Sequence, residues 1–189
     1  MRPDPEVILE DRPTVYRPSD DSYLLLGAVS LAPGERFLEV GAGAGLLALH
    51  AARIAPAVAT DVNPEAVELL RRSARRNRVA LDVVRTDLMA GVRGPFAVVA
   101  FNPPYLAGEP ADALERAWHG GNAGSEVAIR FLRDLPRVLA MDGRAYLLLS
   151  RENAPARELA ESSFRVKVKT SKDLFFERLE VLELRQGLE

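Results

Sequence analysis

The stretch ERFLEVGAGAGLLALHAARIA, Glu35 to Ala55, changes character twice. Glu35 to Val40 reads as a short buried strand. The glycines of Gly41–Gly45 follow, and residues without a Cβ permit a tight turn and a close approach to the backbone. An apolar run of helical length comes next. A strand that passes through glycines into a helix opens a β-α-β unit. The rest of the chain continues the alternation. PAVATD, ending at Asp61, is a second strand, and NPEAVELLRRSARRN is a helix with clear start signals. Asn63 can cap the free amides, Pro64 suits the first turn, and Glu65 suits the positive end. LDVVRTD, ending at Asp87, is a third strand, and FAVVAF is a fourth, running into Asn102.

A Gly- and Pro-rich loop spans Leu106 to Gly124. Loops of that length are usually functional or disordered. SEVAIRFLRDLPRVLA then reads as a helix with a kink expected at Pro136, RAYLLLS as a fifth strand, and APARELAES as a short helix. In the tail, FRVKVK and RLEVLEL alternate apolar with polar residues, the period of half-exposed strands. TSKDLFFE between them has no room for a helix, so these two strands should be antiparallel. The class is α/β: a mostly parallel sheet with helices on both faces. Right-handed crossovers put every strand-to-helix turn on one edge, where open sheets of this class bind ligands.

Composition narrows the options. With 189 residues, 48% of them hydrophobic, the chain is of single-domain size. It has no cysteine, which excludes disulfides and thiolate-ligated zinc. His50 and His119 are the only histidines, so a metal site would need carboxylates, and none is expected. No apolar run approaches the roughly 20 residues of a bilayer span. MRPDPEVILE lacks the form of a signal peptide, and the expected location is cytoplasmic. A net charge of -2 gives no general pull toward nucleic acid. The basic cluster Arg71–Arg78 reads first as a solvated helix face.

The strand ends carry the chemistry. Gly41 and Gly43 would let a ligand touch the backbone. Asp61, at the end of the next strand, could accept from both ribose hydroxyls of a nucleoside. Asp87 could accept from an adenine amine, or be a plain exposed acid. Glu39, just before the glycines, suits a cationic sulfonium and would repel a pyrophosphate, which favours S-adenosylmethionine over NAD. Asn102 precedes a proline and is pushed into extended geometry. Its side-chain oxygen and the Pro103 carbonyl could each accept one hydrogen of a planar –NH2 group. Tyr105 could stack on that group and hold its plane. Such a clamp suits methyl transfer to an amide or aromatic amine, with orientation supplying up to ~7–11 kcal/mol. A proline-stiffened strand exit is the plainer alternative.

VYRPSDDSYLL (Val15–Leu25), FLEVGAGAG, DVNPEA, TDL, FNPPY and AWHGGNAGSEV together resemble the HemK-type protein glutamine methyltransferases. The likeness is to the short eukaryotic and archaeal branch that modifies class-1 translation release factors. It implies a Rossmann-like class I methyltransferase fold: seven strands, mostly parallel, the last antiparallel. Residues 1–14 would then be an N-terminal extension to a single domain of residues 15–189. It implies cofactor contacts from Ser22, Glu39, Gly41, Asp61, Asp87, Leu88 and Asn102, with S-adenosylmethionine as cofactor. Asn102, Pro103, Pro104 and Tyr105 would hold the glutamine of a Gly-Gly-Gln loop. A small zinc-binding activator subunit is a further expected partner. GGNAG departs from the Gly-Gly-any-Asp-Gly form of the bacterial branch, whose extra N-terminal helical domain also has no counterpart before Val15 here. Two alternatives stand beside this reading: an amino-methyltransferase for adenine or cytosine in nucleic acid, and a cofactor-binding subunit without turnover. Trp118 and His119 are read as packing or bystander residues, His50 as a core or boundary residue, and Arg130 as a helix partner of Glu126.

Overall fold

A computed structural model describes residues 1–104, 125–174 and 177–187. Among the described residues five helices and seven strands follow one another as α1 (Asp20–Ala28), β1 (Phe37–Val40), α2 (Leu46–Ala52), β2 (Ala57–Asp61), α3 (Pro64–Asn77), β3 (Leu81–Arg85), β4 (Phe96–Phe101), α4 (Glu126–Val138), β5 (Leu139–Ser150), α5 (Ala154–Ser163), β6 (Arg165–Asp173) and β7 (Arg178–Arg185). The strands form one sheet in the order β3-β2-β1-β4-β5-β7-β6. β3, β2, β1, β4 and β5 run parallel, and β7 is antiparallel to both β5 and β6. The expected reversal of the last strand is present.

Alternation along the central strands divides the core between the two faces. Leu38, Val40, Val99 and Phe101 join Phe131 and Leu132 of α4 and Ala156 and Ala160 of α5. Phe37, Val98 and Ala100 join Leu25 and Leu26 of α1 and Leu46 and Leu47 of α2. α3 adds Leu70, packed with Ala48 and Ala59. Its start is built as expected: Asn63 accepts from the Glu65 amide at 2.9 Å, and Pro64 takes the first turn. Among the described residues no helix is long and apolar enough to cross a membrane.

Several features differ from expectation. α1 was not anticipated, because DDSYLLLGA lacks a one-sided apolar stripe. α4 runs through Pro136 as expected and ends at Val138, two residues short of the expected Ala140. β5 then begins at once, at Leu139 instead of Arg144, and a register shift separates the pairs Phe96–Leu139 and Val98–Arg144. This irregular opening, with Met141 exposed, hides a strand inside a sequence that reads as a turn. β6 reaches Asp173, beyond the FRVKVK pattern. Residues 1–14 lie across α2 and α3. The Asp4 amide donates to His50 Nε2 at 2.9 Å, and Ile8 exchanges two hydrogen bonds with Asn77 at 2.8 Å each. His50 is buried, and its Nδ1 lies 2.7 Å from the Leu46 carbonyl. Since Nε2 accepts, the proton sits on Nδ1, and burial lowers the pKa of the ring.

Gly45 opens α2 at φ +83°, and a Cβ there would lie 2.3 Å from Leu70 Cδ2. Gly45→Ala is expected to cost at least about 1–2 kcal/mol from the left-handed backbone alone, with repacking of Leu70 in addition. Urea denaturation measures this; an unchanged midpoint would refute the constraint.

Candidate active site

The carboxyl ends of β1, β2 and β4, together with the chain just past β3, open onto a cavity of about 530 Å3. That volume is in the range of small-molecule sites, roughly 300–1,000 Å3. Ser22, Glu39, Gly41, Gly43, Asp61, Asp87, Leu88, Asn102, Pro103 and Pro104 all line it. Right-handed crossovers bring these distant residues to one rim. Tyr105, Trp118 and His119 lie outside the described residues.

The backbone calls for glycine at both positions, and space adds to the requirement at Gly41. Gly41 has φ +61° and Gly43 φ +52°. A Cβ on Gly41 would come within 3.2 Å of the Phe101 ring, and one on Gly43 within 3.5 Å of the Tyr16 carbonyl oxygen.

The acids are more committed than their sequence positions suggest. Glu39 is buried and accepts from the Ala48 amide at 2.6 Å, so it caps the first turn of α2. Burial pushes its pKa up to about 8, against the pull of the Ala48 and Leu47 amides. Asp61 accepts from the Gly43 and Asn63 amides at 2.8 Å each, tying the glycine turn to the start of α3. Burial raises its pKa too. Lone pairs remain on both carboxylates for a ligand. Asp87 is exposed and pairs with Arg130, which comes from α4 and also lines the cavity. Arg130 therefore reaches across to the cavity rim.

Asn102 is the most informative residue. Its Nδ2 donates to Asp21 Oδ2 at 2.9 Å, whereas its Oδ1 is buried and has no hydrogen-bond partner among the described residues. Leaving a buried acceptor unpaired costs about 1–3 kcal/mol. Such an orphan in a site calls for a donor from outside the chain. Asp21 itself is 3% exposed and lines the same cavity. Sequence reasoning missed Asp21, Tyr16 and Arg130. Asp21 and Tyr16 lay within a quoted motif, but nothing local marks Asp21 as the partner of a residue 81 positions away, or Tyr16 as the group that holds Asp21.

The cavity fits a nucleoside carrying a cationic tail. It has two positive-φ glycines at its floor, buried acids at two strand ends, and an unpaired acceptor on its wall. Among the described residues no group of three His, Cys, Asp or Glu side chains could hold a metal ion. Arg72 and Arg76 of the basic cluster pair with Glu10 of the N-terminal segment.

Comparison with known proteins converges on one chemistry. The family described as Methyltransferase small domain matches residues 17–176. "Methyltransferase HEMK2" of Mus musculus is 39% identical over 158 residues, which cover 75% of this chain and 74% of that protein. "Release factor glutamine methyltransferase" of Deinococcus radiodurans is 34% identical over 173 residues, covering 84% of this chain and 62% of that one. A chain of the E. cuniculi Mtq2–Trm112 complex, described as responsible for methylation of the eRF1 translation termination factor, superposes with a TM-score of 0.74. It is 25% identical, and the match covers 92% of this chain and 99% of that chain.

The buried Glu39 makes the cavity sensitive to pH. Its folded-state pKa of about 8 lies above the unfolded value of about 4.5. Its contribution to stability is therefore complete below the unfolded pKa and is lost as pH rises through the folded one. Between pH 5 and 8, urea denaturation of the wild type should show a steeper loss of stability than Glu39→Gln, which keeps an acceptor for the Ala48 amide. Equal slopes would mean that Glu39 is not held protonated.

Proposed function

The chain belongs to the Methyltransferase small domain family, and from that premise we propose that it methylates the side-chain amide nitrogen of a protein glutamine. The substrate in this reading is a class-1 translation release factor, modified in its Gly-Gly-Gln loop. The relatives named for release factor glutamine and eRF1 methylation support that choice. The observation that carries the reading is the buried, unpaired Asn102 Oδ1 beside a nucleoside-sized cavity.

S-adenosylmethionine, when bound, supplies an electrophilic methyl group on a sulfonium. In this proposal the residues of the chain divide the remaining work. Gly41 and Gly43 admit the cofactor against the backbone, Asp61 takes the ribose hydroxyls, and Asp87 and Leu88 flank the adenine. Ser22 and Glu39 face the amino-acid end and the sulfonium. Asn102 Oδ1 and the Pro103 carbonyl accept the two hydrogens of the target –NH2. A primary amide nitrogen is a poor nucleophile because its lone pair is delocalised. Two acceptors draw electron density toward it, favour the positive charge that builds on it, and aim it at the methyl group. Fixed acceptors placed where charge develops act without reorganisation, and orientation adds up to about 7–11 kcal/mol. No strong base is needed, since the nitrogen becomes acidic only as it is methylated. Pro104 and Tyr105 complete the grip in this reading, by stiffening the loop and stacking on the amide.

A small zinc-binding activator subunit belongs to the same proposal, supported by the complexed state of the E. cuniculi relative. The pairing of Arg72 and Arg76 with Glu10 favours a structural role for the basic cluster over a strand-binding one.

Incubation with labelled cofactor and release factor, with and without an activator subunit, should place the label on the Gly-Gly-Gln glutamine by mass spectrometry. Labelling that survives replacement of that glutamine would reject the target. Asn102→Ala should leave cofactor affinity within about threefold while transfer falls by a factor on the order of 10^2–10^3. Loss of neither would mean that the clamp reading is wrong.

A further inference from the structure

A primary amide side chain has two unlike ends. The torsion that exchanges them is broad and roughly two-fold. Only the oxygen end of Asn102 can receive a hydrogen from a target –NH2. The nitrogen end would set donor against donor. Something in the fold must choose between the two orientations, and the chemistry of one neighbour does so.

That neighbour is Asp21, in the first turn of α1. Its carboxylate offers only acceptors, so it can bond Asn102 through Nδ2 alone, which it does at 2.9 Å. The carboxylate is itself held from several sides. The Tyr16 hydroxyl lies 2.8 and 2.7 Å from its two oxygens. The Ser22 amide donates to Oδ1 at 2.6 Å, with the Ser22 hydroxyl at 3.1 Å. A buried acid that accepts from these donors would lose their bonds by swinging away. With Nδ2 committed, the remaining acceptor is Oδ1, the atom left buried and unpaired.

We infer that Asp21 is the positioning residue of the site: it locks the Asn102 amide with its oxygen as the free end and makes that oxygen a stronger acceptor. The second effect follows from the first. An N–H bonded to a carboxylate polarises its amide and moves electron density onto the oxygen, as bonds in a low-dielectric network reinforce one another. Asp21 does not touch the target nitrogen; it acts through Asn102. The inference rests on the reading of Asn102 as the residue that grips the amide.

Asp21→Asn is the informative change. It preserves shape but gives residue 21 a donor, so both orientations of Asn102 become possible. Transfer to the release-factor glutamine should fall in kcat on the order of 10- to 100-fold, as expected for losing a hydrogen bond to a charged group. Cofactor affinity should stay within about threefold. In an Asn102→Ala background the same change should have almost no further effect, because coupled residues fail to add. An equal loss in both backgrounds, or no loss in either, overturns the inference. A second measurement needs neither substrate nor variant folding. In the wild type, a nitrogen–proton NMR correlation should show one Asn102 side-chain proton displaced from the ordinary primary-amide position and protected from exchange with solvent by its bond to the Asp21 carboxylate. Two protons at ordinary positions, both exchanging freely, overturn it. A wild type that shows this signature yet leaves the glutamine unmodified would defeat the assigned reaction while sustaining the orientation lock.

Discussion

Five parallel strands release their chain along one rim, and each release exposes backbone amides that the apolar core beside them cannot satisfy. This constraint shapes the cavity. At β1 the orphan amides of α2 are met by Glu39, and at β2 the turn amides of Gly43 and Asn63 are met by Asp61. The acids that a ligand would meet are thus also the groups that finish the strand-to-helix turns. They hold their places because the fold needs them there, and a site that must be rigid gains its rigidity from this double use. At β4 the pattern differs. Asn102 is fixed by a side chain from another element, and its Oδ1 has no partner among the described residues.

The order of elements was legible because its signals are local. A run of apolar residues, a set of glycines and the Asn63-Pro64-Glu65 start each declare themselves within a few positions. Strand ends could be read as neighbours on one cavity because handedness places them together without further information. What escaped was long-range or irregular. The bond from Asn102 to Asp21 spans 81 positions, and an acid in the first turn of a helix has an ordinary explanation in the helix dipole. Arg130 sits one turn from Glu126 and invited a local pairing, yet its side chain crosses to Asp87. The opening of β5 was hidden because its first residues are out of register with the rest of the strand. Glu39 was read by its charge alone. Its burial and its bond to α2 make it a neutral cap at many pH values as much as a counter-charge.

Both structure and relatives bear on the methyltransferase assignment, but from different sides. The family match and the sheet order speak to the reaction class, and the Asn102 geometry speaks to the kind of nitrogen that would be gripped. In the proposed clamp, an acceptor pair would select a hydrogen-bearing nitrogen and would give nothing to a nucleophile without hydrogens. Restricting such a clamp to acceptors would narrow the substrate before any outer surface of the protein takes part in recognition.

The N-terminal segment also walls the cavity, through Thr14, Val15 and Tyr16. Val15 is buried against Ala44, Ala66 and Leu69, while Arg12 holds the same segment to Glu65 and Glu68 by part-exposed ion pairs at 3.3 and 3.0 Å. Ion pairs near the surface are weak and are screened by salt, whereas the apolar anchor is not. Salt therefore acts on the Arg12 end of this wall, while Val15 and the Thr14 bonds to Glu65 and Asn63 keep its cavity face in place.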